Sequence, residues 1–330
     1  MTWFKGKLSY KKSIFDKKIG LKYSFLGSLS FLKKGYDKKH HDDKKWDFKF
    51  DFIKDYGHKH GGETIKGDAY DNKIAGTDKA DTIYGGDGND ELTGKGGDDK
   101  IFGEGGDDLI GGDDGDDKIF GGKGDDRLYG NGGDDYIDGG DGDDLVQGRD
   151  GEDTLKGGSG DDRVYGQGGD DKMWGGKGDD YMDGGDGDDV IYGECGDDEI
   201  KGGYGDDKLF GGHGDDWLFG DAGDDWLEGG KGDDALMGGD GKDYFVFKGW
   251  FGDDMIKDFS DQGSDGDKIV LDKSLKWKMK FGHIDIEDTY FYDDHGAKWD
   301  AAKIDLGHKG SITLIDTHAS DIDYHDFIFC

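Results

Sequence analysis

A nine-residue unit repeats twenty times across residues 67–246, with no insertion or deletion. The units starting at Gly175, Gly184 and Gly193 read GGKGDDYMD, GGDGDDVIY and GECGDDEIK. Position 1 is Gly and position 4 is usually Gly. Position 6 is Asp in nineteen of the twenty units, failing only at Asn72. Position 8 is apolar in all twenty, from Ile74 to Phe245. One such unit cannot bury its apolar side chain alone, so a fixed short period demands stacked units. The expected fold class is therefore all-β, a solenoid with one inward apolar side chain per nine residues.

That core is thin, and thin cores need disulfides or metals. The only cysteines are Cys195, in a repeat loop, and Cys330, the last residue, so no disulfide frame exists. Charge points the same way. The chain carries −36, of which the repeats hold −37, residues 1–66 hold +9 and residues 247–330 hold −8. A rod this acidic repels itself unless cations join it as it folds. Nucleic acid has the same sign as the repeats and is excluded as their partner. No apolar run reaches the length of a transmembrane segment, about 18 residues.

Within a unit, a six-residue loop such as residues 139–144 is followed by a three-residue strand such as residues 145–147. Glycines let the loop turn its carbonyl oxygens inward. Carbonyls and one carboxylate per loop make an all-oxygen cage. Such a cage suits calcium, which takes six to eight oxygens in a flexible shell, better than magnesium, which keeps its waters. Zinc needs Cys or His, and the loops offer only Cys195 and His213.

The motif G-G-x-G-x-D-x-U-x resembles the nonapeptide of the RTX family, whose repeat binds calcium. The resemblance implies a parallel β-roll, a right-handed solenoid with two nonapeptides per coil and calcium between loops n and n+2. The ligands it implies are the position-6 carboxylates Asp81, Asp90, Asp99, Asp108, Asp117, Asp126, Asp135, Asp144, Asp153, Asp162, Asp171, Asp180, Asp189, Asp198, Asp207, Asp216, Asp225, Asp234 and Asp243. Backbone carbonyls complete each shell, giving about sixteen ions. Position-5 acids such as Asp98 and Asp107 match less strictly and read as solvated loop charges.

Three regions follow: a basic, aromatic segment (1–66), the roll (67–246) and a C-terminal cap (247–330). The aromatic, aperiodic stretch after Val246 is similar to the capping region of serralysin-type proteins. The ending, residues 320–329, is similar to the export signals of ABC-type (type I) exporter substrates, with Cys330 as an extra residue. At the other end, residues 46–52 alternate Trp and Phe with charge, which suits a strand that covers the open end of the roll or pairs with another chain. His40, His41, His58 and His60 lie among lysines and read as surface residues. No zinc-peptidase helix, nucleophile elbow or phosphate loop occurs, so no enzyme is expected.

On one expected sheet, Tyr84, Phe102 and Phe120 form a column that breaks at Asp138 and Lys156 and resumes with Trp174, Tyr192 and Phe210. Lys100, Lys118, Lys172 and Lys208 run beside it. Exposed aromatic–Lys stripes read either as a contact surface or as cross-strand stacking. The expected function is that of a secreted, calcium-folded structural protein of the bacterial surface or matrix, assembling head to tail with itself. The alternative is a module that binds cell-surface polysaccharide through the stripes.

Overall fold

The computed structural model describes residues 7–15, 22–30, 62–260, 266–276, 285–292 and 295–330. The alternating stretch 46–52 and His40, His41, His58 and His60 fall outside the described residues. The chain divides into two compact units, Met1–Phe52 and Ile53–Cys330. In the first, strands Lys7–Phe15 and Lys22–Ser30 pair antiparallel, Lys7 opposite Ser30.

The second unit is built from a thirteen-stranded and a fourteen-stranded sheet. Successive strands alternate between the two, so two nonapeptides complete one coil. Leu145–Asp150 lies parallel between Arg127–Gly132 and Arg163–Gly168, with Val146 opposite Leu128 and Val164. These register partners occupy position 8 of their units. The position-8 side chains from Ile83 to Leu236 are no more than 1 % exposed and fill the space between the sheets. This is the parallel β-roll that the resemblance implies, stacked as the period requires.

The strands are longer than the sequence suggests. Each runs six residues, as in Leu145–Asp150, and the turn shrinks to three, residues 142–144. The reason is the stacking itself. Identical loops lie in register, so their backbones pair as well, with Arg149 opposite both Asn131 and Gln167. The chain bends at position 1 and passes through a left-handed conformation at position 2, for example at Gly140 (φ 116°).

The sheets do not stop with the period. Tyr244–Phe247, Lys268–Leu271 and Phe327–Phe329 continue the thirteen-stranded sheet in parallel. Gly252–Ile256 and Gly310–Ile315 continue the other, which then ends in the antiparallel strands Lys298–Asp305 and Asp285–Tyr292. Phe245, Phe247 and Phe251 are fully buried here and widen the core. The C-terminus is tied in by its backbone: Cys330 N donates to Leu271 O at 3.1 Å, and Lys273 N donates to Cys330 O at 3.0 Å.

Candidate metal centre

Asp144 shows how one unit builds a site. It ends the tight turn 142–144, where Gly142 takes φ 138°, and it is 2 % exposed. Its Oδ1 accepts the amide of Asp126, one coil back, at 2.8 Å. Its Oδ2 is buried and has no hydrogen-bond partner. The same arrangement recurs along both edges of the roll. Nineteen buried Oδ2 atoms lack a partner: nine on one edge, from Asp99 to Asp243, and ten on the other, from Asp90 to Asp254.

At most of these sites a carbonyl oxygen lies beside the carboxylate oxygen. A Cβ placed on Gly130 would collide with Asp135 Oδ2 and stand 2.9 Å from the Gly148 carbonyl oxygen, one coil on. Position 1 is Gly because that carboxylate occupies the space. Among the described residues no three His, Cys, Asp or Glu side chains are placed to hold a metal ion by themselves. The donor set is one carboxylate oxygen and backbone carbonyls, which fits a hard cation and not zinc.

Burial pushes the Asp144 carboxyl up to about 7, against the lowering effect of the Asp126 amide, and Asp125, Asp143 and Asp138 add to the rise. Burial likewise raises Asp135, Asp162 and Asp171 to about 8. A row of ionised carboxylates cannot be buried at neutral pH without either protons or bound cations.

Between residues 66 and 256 the units match the family model of the RTX calcium-binding nonapeptide repeat. The chain belongs to the RTX nonapeptide-repeat family. No curated protein matches the RTX chain significantly. Among solved structures it is similar to the crystal structure of the extracellular lipase LipA from Serratia marcescens, at 19 % identity over 68 % of this chain and 40 % of that one, TM-score 0.24. It is also similar to the solution structure of the AlgE6R3 subunit from the Azotobacter vinelandii mannuronan C5-epimerase, at 21 % identity over 50 % of this chain and 81 % of that one, TM-score 0.16. The superpositions are loose, and the RTX assignment rests on the repeats.

Eighteen of the nineteen aspartates expected as ligands have the unpartnered oxygen. Asp81 differs from the others. Its Oδ2 already accepts the amide of Thr77 at 2.6 Å and the Thr77 hydroxyl at 3.0 Å. Two residues outside the period join the RTX columns. Asp254 Oδ1 accepts Asp234 N, and Asp267 Oδ1 accepts Asp243 N, each at 3.0 Å. Asp254 has the unpartnered Oδ2, and burial raises its carboxyl to about 9. Asp267 Oδ2 instead accepts Ser260 N at 2.7 Å. A signal for Asp254 was present: residues 252–256 read GDDMI, which keeps positions 4 to 8 of the unit behind a two-residue offset.

Position 5 is also more than solvated charge. Asp143 is exposed, yet its Oδ1 accepts the amide of Asp161 at 3.0 Å, and the pattern recurs on both edges of the RTX roll. Asp134 receives Glu152 N at 3.0 Å, whereas no bond runs from Asp170 N to the longer Glu152 side chain.

The aromatic columns form as expected, with centroids 5.0 Å apart from Tyr84 to Phe102 and from Phe102 to Phe120. Trp174, Tyr192 and Phe210 stack at 5.7 and 4.8 Å. Two expectations change. The six rings are half-buried, because each covers its neighbour's face. The break is bridged: Tyr136 packs 5.6 Å from Phe120, and Lys156 Nζ lies 5.5 Å from the Tyr136 ring and 5.7 Å from that of Trp174.

Proposed function

We propose that this RTX chain is a secreted, non-enzymatic structural protein whose roll folds when calcium enters the two carboxylate columns. The observation that carries this reading is the set of nineteen buried, unpartnered Oδ2 atoms, most of them beside a backbone carbonyl oxygen. Bound cations supply positive charge where the repeats hold −37. The number of ions then follows the unpartnered oxygens and exceeds the sixteen or so expected from the motif alone. Where calcium is scarce the chain stays extended enough to thread an exporter; at extracellular calcium it folds. Export through the C-terminal segment belongs to the same proposal.

Assembly is the structural role we assign to the folded protein. The segment 1–66 carries +9, opposite in sign to the roll, so one copy's head attracts another's body. A head-to-tail contact of that kind is heterologous and yields filaments or sheets at a bacterial surface. Polysaccharide binding through the stripes is the weaker reading, since a sugar stacks on open ring faces and these are mutually covered.

The deciding experiment is circular dichroism of the full chain in excess chelator, then with calcium added to about 10⁻⁴–10⁻³ M, the range of extracellular modules. The expected change is from a disordered to a β spectrum, with magnesium ineffective. A full β spectrum in chelator at neutral pH would overturn the reading.

A further inference from the structure

The first aspartate of the array differs from the eighteen that follow it, and the cause lies four residues earlier in its own loop. From the unit at Gly85 onward, every position-2 residue has a left-handed backbone. Ten are Gly, and eight are other residues, among them Lys95 (φ 87°) and Arg149 (φ 90°). The same eighteen units, Asp90 to Asp243, have the unpartnered Oδ2. In those units no protein donor reaches that oxygen.

Thr77 holds position 2 of the preceding unit and does not take the left-handed conformation, which is costly for a β-branched residue. Its amide and hydroxyl both reach Asp81 Oδ2, at 2.6 and 3.0 Å. The strand before it is correspondingly short, Lys73–Ala75, because Thr77 does not join the ladder as left-handed position-2 residues do. A second donor acts at the same turn. Lys95 Nζ donates to the Gly76 carbonyl at 2.8 Å. By the register in which Gly148 O faces Asp135, the carbonyl facing Asp81 is Gly94 O, and the Gly76 carbonyl lies one coil before it in the same row.

We propose that Thr77 closes Asp81 and Lys95 closes the carbonyl one coil before it, so that the column ends on the protein's own donors, Asp81 holds no cation and the first ion on this edge sits at Asp99. The proposal rests on the calcium reading above. Position 2 is then the selector: a left-handed residue leaves the carboxylate to a cation, and Thr fills it from within. The closure also bears on assembly. A half-built site at an open end takes its missing donors from a second copy, whereas a self-satisfied end does not. Copies therefore do not stack through shared ions at this edge.

The test is a calcium-loaded crystal structure of the full chain, with ions located by their anomalous scattering. The wild type should show an ion at Asp99 and none at Asp81. The double variant Thr77→Gly, Lys95→Gly should gain an ion at Asp81. Gly140→Thr should lose the ion at Asp144, and if that variant does not fold, the double variant decides alone. An ion at Asp81 in the wild type, or none there in a folded double variant, overturns the proposal. A wild type with no calcium in either column would instead overturn the reading on which it rests.

Discussion

Asp143 and Asp144 are adjacent in the chain and bind opposite neighbours. Asp143 Oδ1 accepts the amide of Asp161, one coil ahead, and Asp144 Oδ1 accepts the amide of Asp126, one coil behind. Such pairs staple their turns in both directions along most of the roll. The two carboxylates differ in what remains. Asp143 is exposed to water, while Asp144 keeps a buried oxygen with no protein partner.

Asp144→Ala and Asp143→Ala should therefore separate. The first removes a cation ligand and strands the Asp126 amide in a buried place, a loss of about 1–3 kcal/mol before the ion is counted. The second frees an exposed amide that water can serve, about 0.5–1.5 kcal/mol at most. In calcium titrations followed by circular dichroism, Asp144→Ala should raise the midpoint several-fold and Asp143→Ala little. Equal shifts would show that the ligand is misassigned.

The metal-free chain should respond to acid. Burial raises the carboxyls of Asp153, Asp144 and Asp198 to about 6, 7 and 8 in the roll, against 3.8 in the unfolded chain. A raised folded-state value means that the roll holds more protons than the unfolded chain. That stabilisation is fully present below about 3.8 and is lost as pH rises through 6 to 8. In chelator, β content should be greater near pH 4.5 than at pH 8, roughly speaking across that window. Protons and calcium then compete, so the calcium midpoint should rise as pH falls. A metal-free roll more stable at the alkaline end would contradict the burial of these groups.

Glu152→Asp should repair a ladder. With the shorter side chain, position 5 of this unit can accept the Asp170 amide as Asp143 accepts that of Asp161. Hydrogen exchange of the calcium-loaded protein should show the Asp170 amide slowed by about five- to tenfold, the worth of one exposed hydrogen bond. Unchanged exchange at Asp170 would mean that Glu152 is no defect.

Removing residues 1–60 should leave a calcium-folded monomer. Light scattering of the full chain at saturating calcium should show particles that grow with concentration, and the truncated chain should not. A full chain that stays monomeric would end the assembly proposal and leave the calcium reading untouched.

The period by itself determined much of this molecule. Position 8 of every unit had to face inward, because no other position is apolar in all twenty. Position 6 had to repeat along an edge, because the coil is two units long. The first conclusion needs only a count, since a solenoid repeats its local geometry; the second also needs the two-unit coil that the family resemblance implies. What the count could not supply was anything fixed by contact between coils. The six-residue strands arise because stacked loops pair with each other. The place of Asp254 in its column depends on a two-residue offset that the fold absorbs in the segment before Gly252. Asp81 carries the same residue type at the same position as Asp99, yet the loop before it is built differently, with Thr77 at position 2. A left-handed angle leaves one carboxylate unpartnered, and a β-branched residue that avoids that angle fills the other with its own amide and hydroxyl.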